Sequence, residues 1–225
     1  MEVPLAADVA ARAKRLGCDA TAAPAESLAL YLGLLMHWNA RMNLTGAHTW
    51  ELALDDLAAD SFHLAGFLAE LQSCGLLPAE PLVLDLGAGA GLPGIPLRIV
   101  WQAGAYHMIE PREKRALFLG VTLARLGLPR TFALRARAED VPAQLRGADL
   151  VVSRAFMPWR GYLAVAQGLL APGGVCVVMA GEPAPDATEL PEGWRLAGEM
   201  AYDAVLGGKG QRRYFWSFTP EAISR

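Results

Sequence analysis

Leu82-Val83-Leu84-Asp85-Leu86-Gly87-Ala88-Gly89-Ala90-Gly91-Leu92-Pro93-Gly94 is the stretch that decides how this chain folds. A short apolar run carrying one acid breaks off into alternating glycines, the pattern of a strand that turns sharply into a helix. Gly87, Gly89 and Gly91 can take φ > 0 and let a ligand approach the main chain closely, which is how nucleotide-like cofactors are held at such a turn. A plain tight turn would use the same residues, so the stretch gains meaning from its surroundings.

Glu110 closes a second apolar run, Ala105-Tyr106-His107-Met108-Ile109, and stands 110 − 91 = 19 residues beyond Gly91. An acid at that place binds ribose hydroxyls. Gly89, Gly91 and Gly94 satisfy G-x-G-x-x-G, yet Asp85 puts a carboxylate at the strand end, where a pyrophosphate would have to lie. That charge repels phosphate and favours a cationic ligand, so the loop suits S-adenosylmethionine better than NAD.

The bounds are those of a globular protein. The chain has 225 residues, 53% of them hydrophobic, which is ample for a packed core. A net charge of −3 provides no global field toward nucleic acid or anionic membrane, so an RNA site must be a local patch. Cys18, Cys74 and Cys176 are isolated and in no metal-like spacing, which points to reduced thiols in a cytoplasmic setting and to no metal. Residues 1–17 lack the apolar centre of a signal peptide. The longest apolar stretches are too short to span a bilayer.

Helical spacing predicts helices over 4–16, 25–39 and 49–71, an N-terminal extension over 1–80. Between them, Trp38, Asn39, Arg41 and Asn43 can stack or hydrogen-bond on nucleic acid, while Asn39 and Asn43 can equally serve as helix caps. Asp60 can face a cofactor or water. From residue 81 to 225, short apolar runs alternate with helical segments, the signature of a parallel sheet covered on both faces. Strands are predicted at 82–86, 105–110, 131–136, 149–153, 175–180, 199–206 and 212–218, seven in a mostly parallel α/β sheet. A helix over 112–127 is expected to bury Leu117, Phe118, Val121 and Leu126. Its first turn carries Arg112, Lys114 and Arg115, each disfavoured there by the macrodipole at about 0.3–1 kcal/mol, which phosphate binding would offset.

Ala138, Glu139 and Asp140 follow the third strand, where a main-chain N–H and a carboxylate can recognise an adenine edge. Arg154 ends the fourth strand and is placed to hold a carboxylate, a phosphate or the target base, or to form a structural salt bridge. Residues 207–214 read as a hairpin with a second small basic group.

The residues resemble the RsmG (GidB) 16S ribosomal RNA guanine-N7 methyltransferases. The matching pieces, in family order over 28–181, are Trp38-Asn39-x-Arg41-x-Asn43-Leu44-Thr45, Asp60-Ser61, and Asp85-x-Gly87-x-Gly89-Ala90-Gly91-Leu92-Pro93-Gly94-Ile95-Pro96. They continue with Lys114-Arg115-x-x-Phe118-Leu119, Arg137-Ala138-Glu139 and Ser153-Arg154-Ala155. The resemblance implies a Rossmann-like class I methyltransferase fold, S-adenosylmethionine as cofactor, and 16S rRNA or the small ribosomal subunit as partner of a monomeric enzyme. It implies cofactor contacts from Gly87, Leu92, Ala138, Glu139 and Arg154, with Glu110 where the family usually has an acid. Two positions depart: Leu57 stands where the family commonly has His, and Ala180-Gly181 where it commonly has Lys-Gly.

Guanine N7 carries an in-plane lone pair and no proton, so its methylation needs no base and depends on positioning. The product is cationic, and a carboxylate such as Asp60 or Asp85 would stabilise it. Arg41, Lys114, Arg115 and Arg154 would hold RNA phosphates, and Trp38, Phe156 or Trp159 would stack on an exposed base. Methylation of a small molecule or protein, or a nucleotide-binding module without turnover, are the competing readings.

Overall fold

The computed structural model describes residues 3–18 and 21–221. Four helical stretches precede the sheet: α1 (Ala6–Arg15), α2 (Ala22–Met42), α3 (Trp50–Ala53) and α4 (Ala59–Ser73), with a π-helical turn over Leu54–Ala58 joining the last two. The predicted helix 49–71 is therefore one rod with a widened turn in it. α2 runs three residues past its expected end at Asn39, and buries Leu28, Tyr31, Leu32 and Leu35. It stops at Asn43, whose left-handed conformation (φ 48°) returns its N–H to the Asn39 carbonyl.

The sheet strands are β1 (Leu82–Leu86), β2 (Ala105–Ile109), β3 (Thr131–Leu134), β4 (Ala148–Ser153), β5 (Leu170–Ala180), β6 (Trp194–Leu206) and β7 (Lys209–Pro220). Their spatial order is β3-β2-β1-β4-β5-β7-β6. β1 to β5 are parallel, β7 runs antiparallel to β5, and β6 pairs antiparallel with β7 and so shares the direction of β1 to β5. Chain order reverses between β1 and β4, the switch point at which open α/β sheets hold ligands beyond their carboxyl ends. Helices α5 (Gly94–Val100), α6 (Glu113–Leu126) and α7 (Trp159–Gln167) complete the fold.

Some predicted bounds move. β3 ends at Leu134, two residues early, and the next segment closes as a short 3-10 turn over Ala138–Asp140. β5 begins at Leu170, so Pro172-Gly173-Gly174 lies inside it, with a register shift against β4 and φ 80° at Gly173. α7 has no counterpart in the sequence reading, since Pro158 at its N-cap offers no side-chain cap.

Side chains alternate across the sheet. Val83, Tyr106, Leu150 and Val177 join one cluster with Leu32 of α2, Phe67 of α4, Ile95 of α5 and Phe118 of α6. Leu84, Ile109, Val151 and Cys176 face the other way, under Tyr162 and Leu163 of α7. The N-terminal helices thus share a core with the sheet.

Arg98 of α5 is a fully buried cation. Its guanidinium donates to Thr131 Oγ1 and to the carbonyls of Trp101, Gln102, Ala103, Gly104 and Pro129. It thereby ties down the loops that enter β2 and β3, at the end of the sheet opposite the switch point. Burial lowers its pKa to about 10.

Candidate active site

The glycine turn leaves β1 with φ of 72°, 55° and 82° at Gly87, Gly89 and Gly91. Their open sides differ. A Cβ on Gly87 would lie 2.7 Å from Phe156, in the cleft, and one on Gly89 would look toward Arg115 Nη1 at 3.5 Å. A Cβ on Gly91 would strike Ile95 at 2.4 Å, so this glycine serves packing behind the turn. Leu92 likewise packs against the core.

Two elements from the N-terminal helices brace the turn. Tyr31 Oη donates to the Ala90 carbonyl at 3.0 Å, and Ser61 Oγ to the Pro93 carbonyl at 3.0 Å. Burial raises the Tyr31 pKa far above its ordinary value, so the hydroxyl stays a donor.

Asp85 does not face the cleft. Its side chain is 0% exposed, sits on the α5 side of the sheet, and accepts from Tyr106 Oη at 3.1 Å. Gly94 packs so tightly on it that a Cβ there would approach Oδ2 to 2.6 Å. Burial pushes the Asp85 pKa up to about 7 against the Tyr106 and Gly94 hydrogen bonds. This carboxylate therefore supports the turn from beneath and, contrary to the expectation from sequence, places no charge in the cleft to select a cationic cofactor.

Glu110 follows β2 and is nearly buried. Its Oε2 accepts from Gly89 N at 2.9 Å and its Oε1 from Arg112 N at 2.9 Å. Beside it opens a cavity of about 230 Å³ lined by Gly87, Glu110, Arg115 and Phe156. A second cavity of about 220 Å³ is lined by Gly87, Ala138, Glu139, Phe156 and Met157. A third of about 220 Å³ opens at the ends of β4 and β5, between Phe156, Trp159, Trp216 and Glu182. Ala180 and Gly181, the second departure noted in the sequence, line this third one. Phe156 borders all three. It is carried there by Ala155, a non-glycine residue at φ 52°.

Arg154 and Asp60 are engaged with each other. Arg154 Nη2 lies 3.3 Å from Asp60 Oδ2 and donates to the Asp56 carbonyl at 3.0 Å, while Nη1 donates to the Leu57 carbonyl. Tyr202 Oη donates to Asp60 Oδ1 at 2.9 Å, and Arg213 approaches Oδ2 at 3.8 Å. The widened turn presents these carbonyls, as π-turns inside helices often do at functional sites. Both residues were candidates to act on substrate or cofactor, with water as the alternative for Asp60 and a structural salt bridge as the alternative for Arg154. Instead Asp60, 2% exposed, is the centre of an internal ion-pair junction, and Arg154 anchors the segment that carries Phe156. At the departure Leu57, the carbonyl joins this junction and the side chain packs against the core.

The expected RNA contacts also divide. Asn39 is spent internally: Nδ2 donates to the Ala47 carbonyl at 2.8 Å and Oδ1 accepts from Thr45 N at 2.9 Å. Asn43 is the left-handed cap. Arg115 turns into the cleft beside Glu110. Arg41 and Lys114 meet at a separate groove between α2 and α6, of about 600 Å³. Leu117, expected in the core, is 56% exposed on its floor. Tyr31 and Met157 were missed, since no local pattern distinguishes them from ordinary helix or loop residues, and Ser61 was marked only through the Asp60-Ser61 resemblance.

The model of the GidB family, described as rRNA small subunit methyltransferase G, matches residues 24–212. A ribosomal RNA small subunit methyltransferase G of Nitratidesulfovibrio vulgaris is 53% identical over 195 residues, 87% of this chain and 85% of that protein. The protein of the same name from Oleidesulfovibrio alaskensis is 44% identical over 213 residues, 91% of this chain and 89% of its own length. Among solved structures, a putative O-methyltransferase from Klebsiella pneumoniae superposes with a TM-score of 0.53 at 18% identity, covering 85% of this chain and 90% of its own. That likeness bears on the fold, which is Rossmann-like.

Proposed function

The chain belongs to the GidB family of rRNA small subunit methyltransferases, and from that premise we propose that it methylates guanine N7 in 16S ribosomal RNA with S-adenosylmethionine as donor. The observation that carries the reading is the divided cleft at the switch point. Two cavities flank the glycine turn and a third opens over β4 and β5, with Phe156 shared between them. A donor laid across the first two would present its reactive end beside Phe156, facing an acceptor base in the third.

The residues fit this donor. Gly87 lines both cavities beside the turn, where main chain and ligand can meet, and Glu110 stands at the ribose position, already held by two backbone N–H groups. Ala138 and Glu139 border the compartment suited to the adenine ring. When bound, S-adenosylmethionine supplies a sulfonium-activated methyl group. Gly89 and Gly91 shape the turn, and Asp85 supports it from below.

The guanine lone pair needs no deprotonation, so the chain's task is alignment, which can supply about 7–11 kcal/mol. Phe156, Trp159 and Glu182 line the cavity that would take the base, with Trp159 held in place between Arg160 and Phe218. Arg154, held by Asp60 and the π-turn carbonyls, positions Phe156. Arg41 and Lys114 contact RNA phosphates, and the enzyme works as a cytoplasmic monomer.

The test is methyl transfer from labelled S-adenosylmethionine to 16S rRNA and to small subunits lacking the modification, with the product mapped by N7-methylguanine-specific strand cleavage. Label entering rRNA at one guanine is the expected result. Label entering only small molecules or protein would overturn the reading.

A further inference from the structure

We propose that the groove between α2 and α6 is a second RNA site, which takes an unpaired nucleoside of the same rRNA apart from the base being methylated. The inference rests on the rRNA reading above and adds to it a place, a chemistry and a residue, Arg125, that the sequence did not mark.

The groove is built by two helical stripes. Lys114, Leu117, Val121 and Arg125 recur along one face of α6, and Leu34, Trp38 and Arg41 along the facing side of α2. Eleven residues of α6 separate Lys114 from Arg125, which at 1.5 Å per residue makes the groove roughly 16 Å long. Its volume of about 600 Å³ exceeds that of each cleft compartment. The floor is apolar. Leu117 is 56% exposed there, and Trp38 stands edge-on to Phe118 with ring centroids 5.9 Å apart, which fixes its plane.

The charge around that floor has one sign. Arg41, Lys114 and Arg125 line it, and no carboxylate does. Among the described residues none of these three makes an ion pair, whereas Arg12, Arg130, Arg135, Arg154, Arg212 and Arg213 all do. Arg41 Nη1 lies 3.0 Å from His37 Nε2, a contact that leaves the guanidinium's other donors free. In a chain of net charge −3, three unpaired cations around an exposed apolar strip form a local positive patch. A stacking platform ringed by cations is the chemistry that holds single-stranded nucleic acid: base on the floor, phosphates on the rim. A duplex would have no use for the floor, because its bases stay stacked. Lys114 and Arg115 are neighbours on the first turn of α6, one in the groove and the other in the cleft, so a strand can pass between the two sites.

Leu117→Glu and Arg125→Glu test the proposal, since both side chains are exposed and neither borders the cleft. Each should raise KM for rRNA about tenfold, as expected for losing one stacking or phosphate contact, with kcat and S-adenosylmethionine affinity within about twofold of wild type. Arg125→Glu should also lower the slope of log K against log salt by about 0.7. Crosslinking of 4-thiouridine-substituted 16S rRNA to the wild-type enzyme should mark peptides containing residues 34–42 or 114–125. Unchanged KM in both folded variants, with crosslinks elsewhere, would overturn the groove while leaving the methyl-transfer reading intact. A loss seen only with assembled subunits, with α6 crosslinked to protein and not to RNA, would overturn it too, in favour of a ribosomal protein partner. Failure of the wild type to methylate rRNA would instead strike the reading on which the proposal rests, and the crosslinks would still decide whether RNA lies in the groove.

Discussion

The hydroxyl of Tyr31 donates to the carbonyl of Ala90 at 3.0 Å, a hydrogen bond that reaches 59 residues along the chain from α2 to the glycine turn. The turn is consequently held by the N-terminal helices as well as by the sheet. Tyr31→Phe leaves the shape and removes the donor, and a buried acceptor without its partner costs about 1–3 kcal/mol. Chemical denaturation should show that loss. S-adenosylmethionine affinity by calorimetry should fall with it if the glycine turn receives the cofactor as proposed, because that turn is loosened.

Glu110 accepts a backbone N–H on each oxygen. Glutamine at this position would present an amide NH2 to one of those donors, so Glu110→Gln should behave like Glu110→Ala. Both should lose about 1.5–3 kcal/mol of stability, the usual range for hydrogen bonds to a charged group. Cofactor affinity should drop in both. A Gln variant with wild-type melting temperature and affinity would show that the carboxylate holds neither the turn nor the ribose.

Asp85 gives the fold a pH dependence whose sign follows from its burial. Its folded pKa is raised from 3.8 to about 7, so the folded state binds the extra proton between those values. The stabilisation from this group is full below pH 3.8 and is lost as pH rises through 7. Asp85→Asn cannot ionise. Unfolding free energy measured from pH 5 to 8 should therefore fall more steeply in the wild type than in Asp85→Asn, with the variant gaining relative stability at the alkaline end.

Arg98 satisfies six acceptors with one side chain. Arg98→Met fills similar volume and leaves those acceptors to water or to nothing, a loss of about 3 kcal/mol or more. Arg98→Lys should rescue little, since an ammonium has three donors and no planar fork. Because these loops lie at the far end of the strands, kcat should be near wild type at temperatures where the variants stay folded. A variant that melts normally would show that the guanidinium is dispensable.

Adjacent residues are enough to specify a strand, a glycine turn and an acid 19 places on, and so the strand Leu82–Leu86, the turn at Gly87 and Gly89, and Glu110 beside it were legible in the sequence. The parallel sheet was legible too, because strands buried on both faces read as continuous apolar runs. What a polar side chain does with its charge was not. Asp60, Asp85, Arg154 and Asn39 have the residue types of a reactive site, and only the packing of distant segments decided that their partners are Tyr202, Tyr106, the Asp56 and Leu57 carbonyls, and Ala47. The same holds for Leu117. Helical periodicity assigned it to the core, but whether a stripe is covered depends on what packs against it, and between α2 and α6 the helices part instead of closing. Chain order sets which residues are available to a site, and the three-dimensional approach of segments tens of residues apart sets which of them face a ligand.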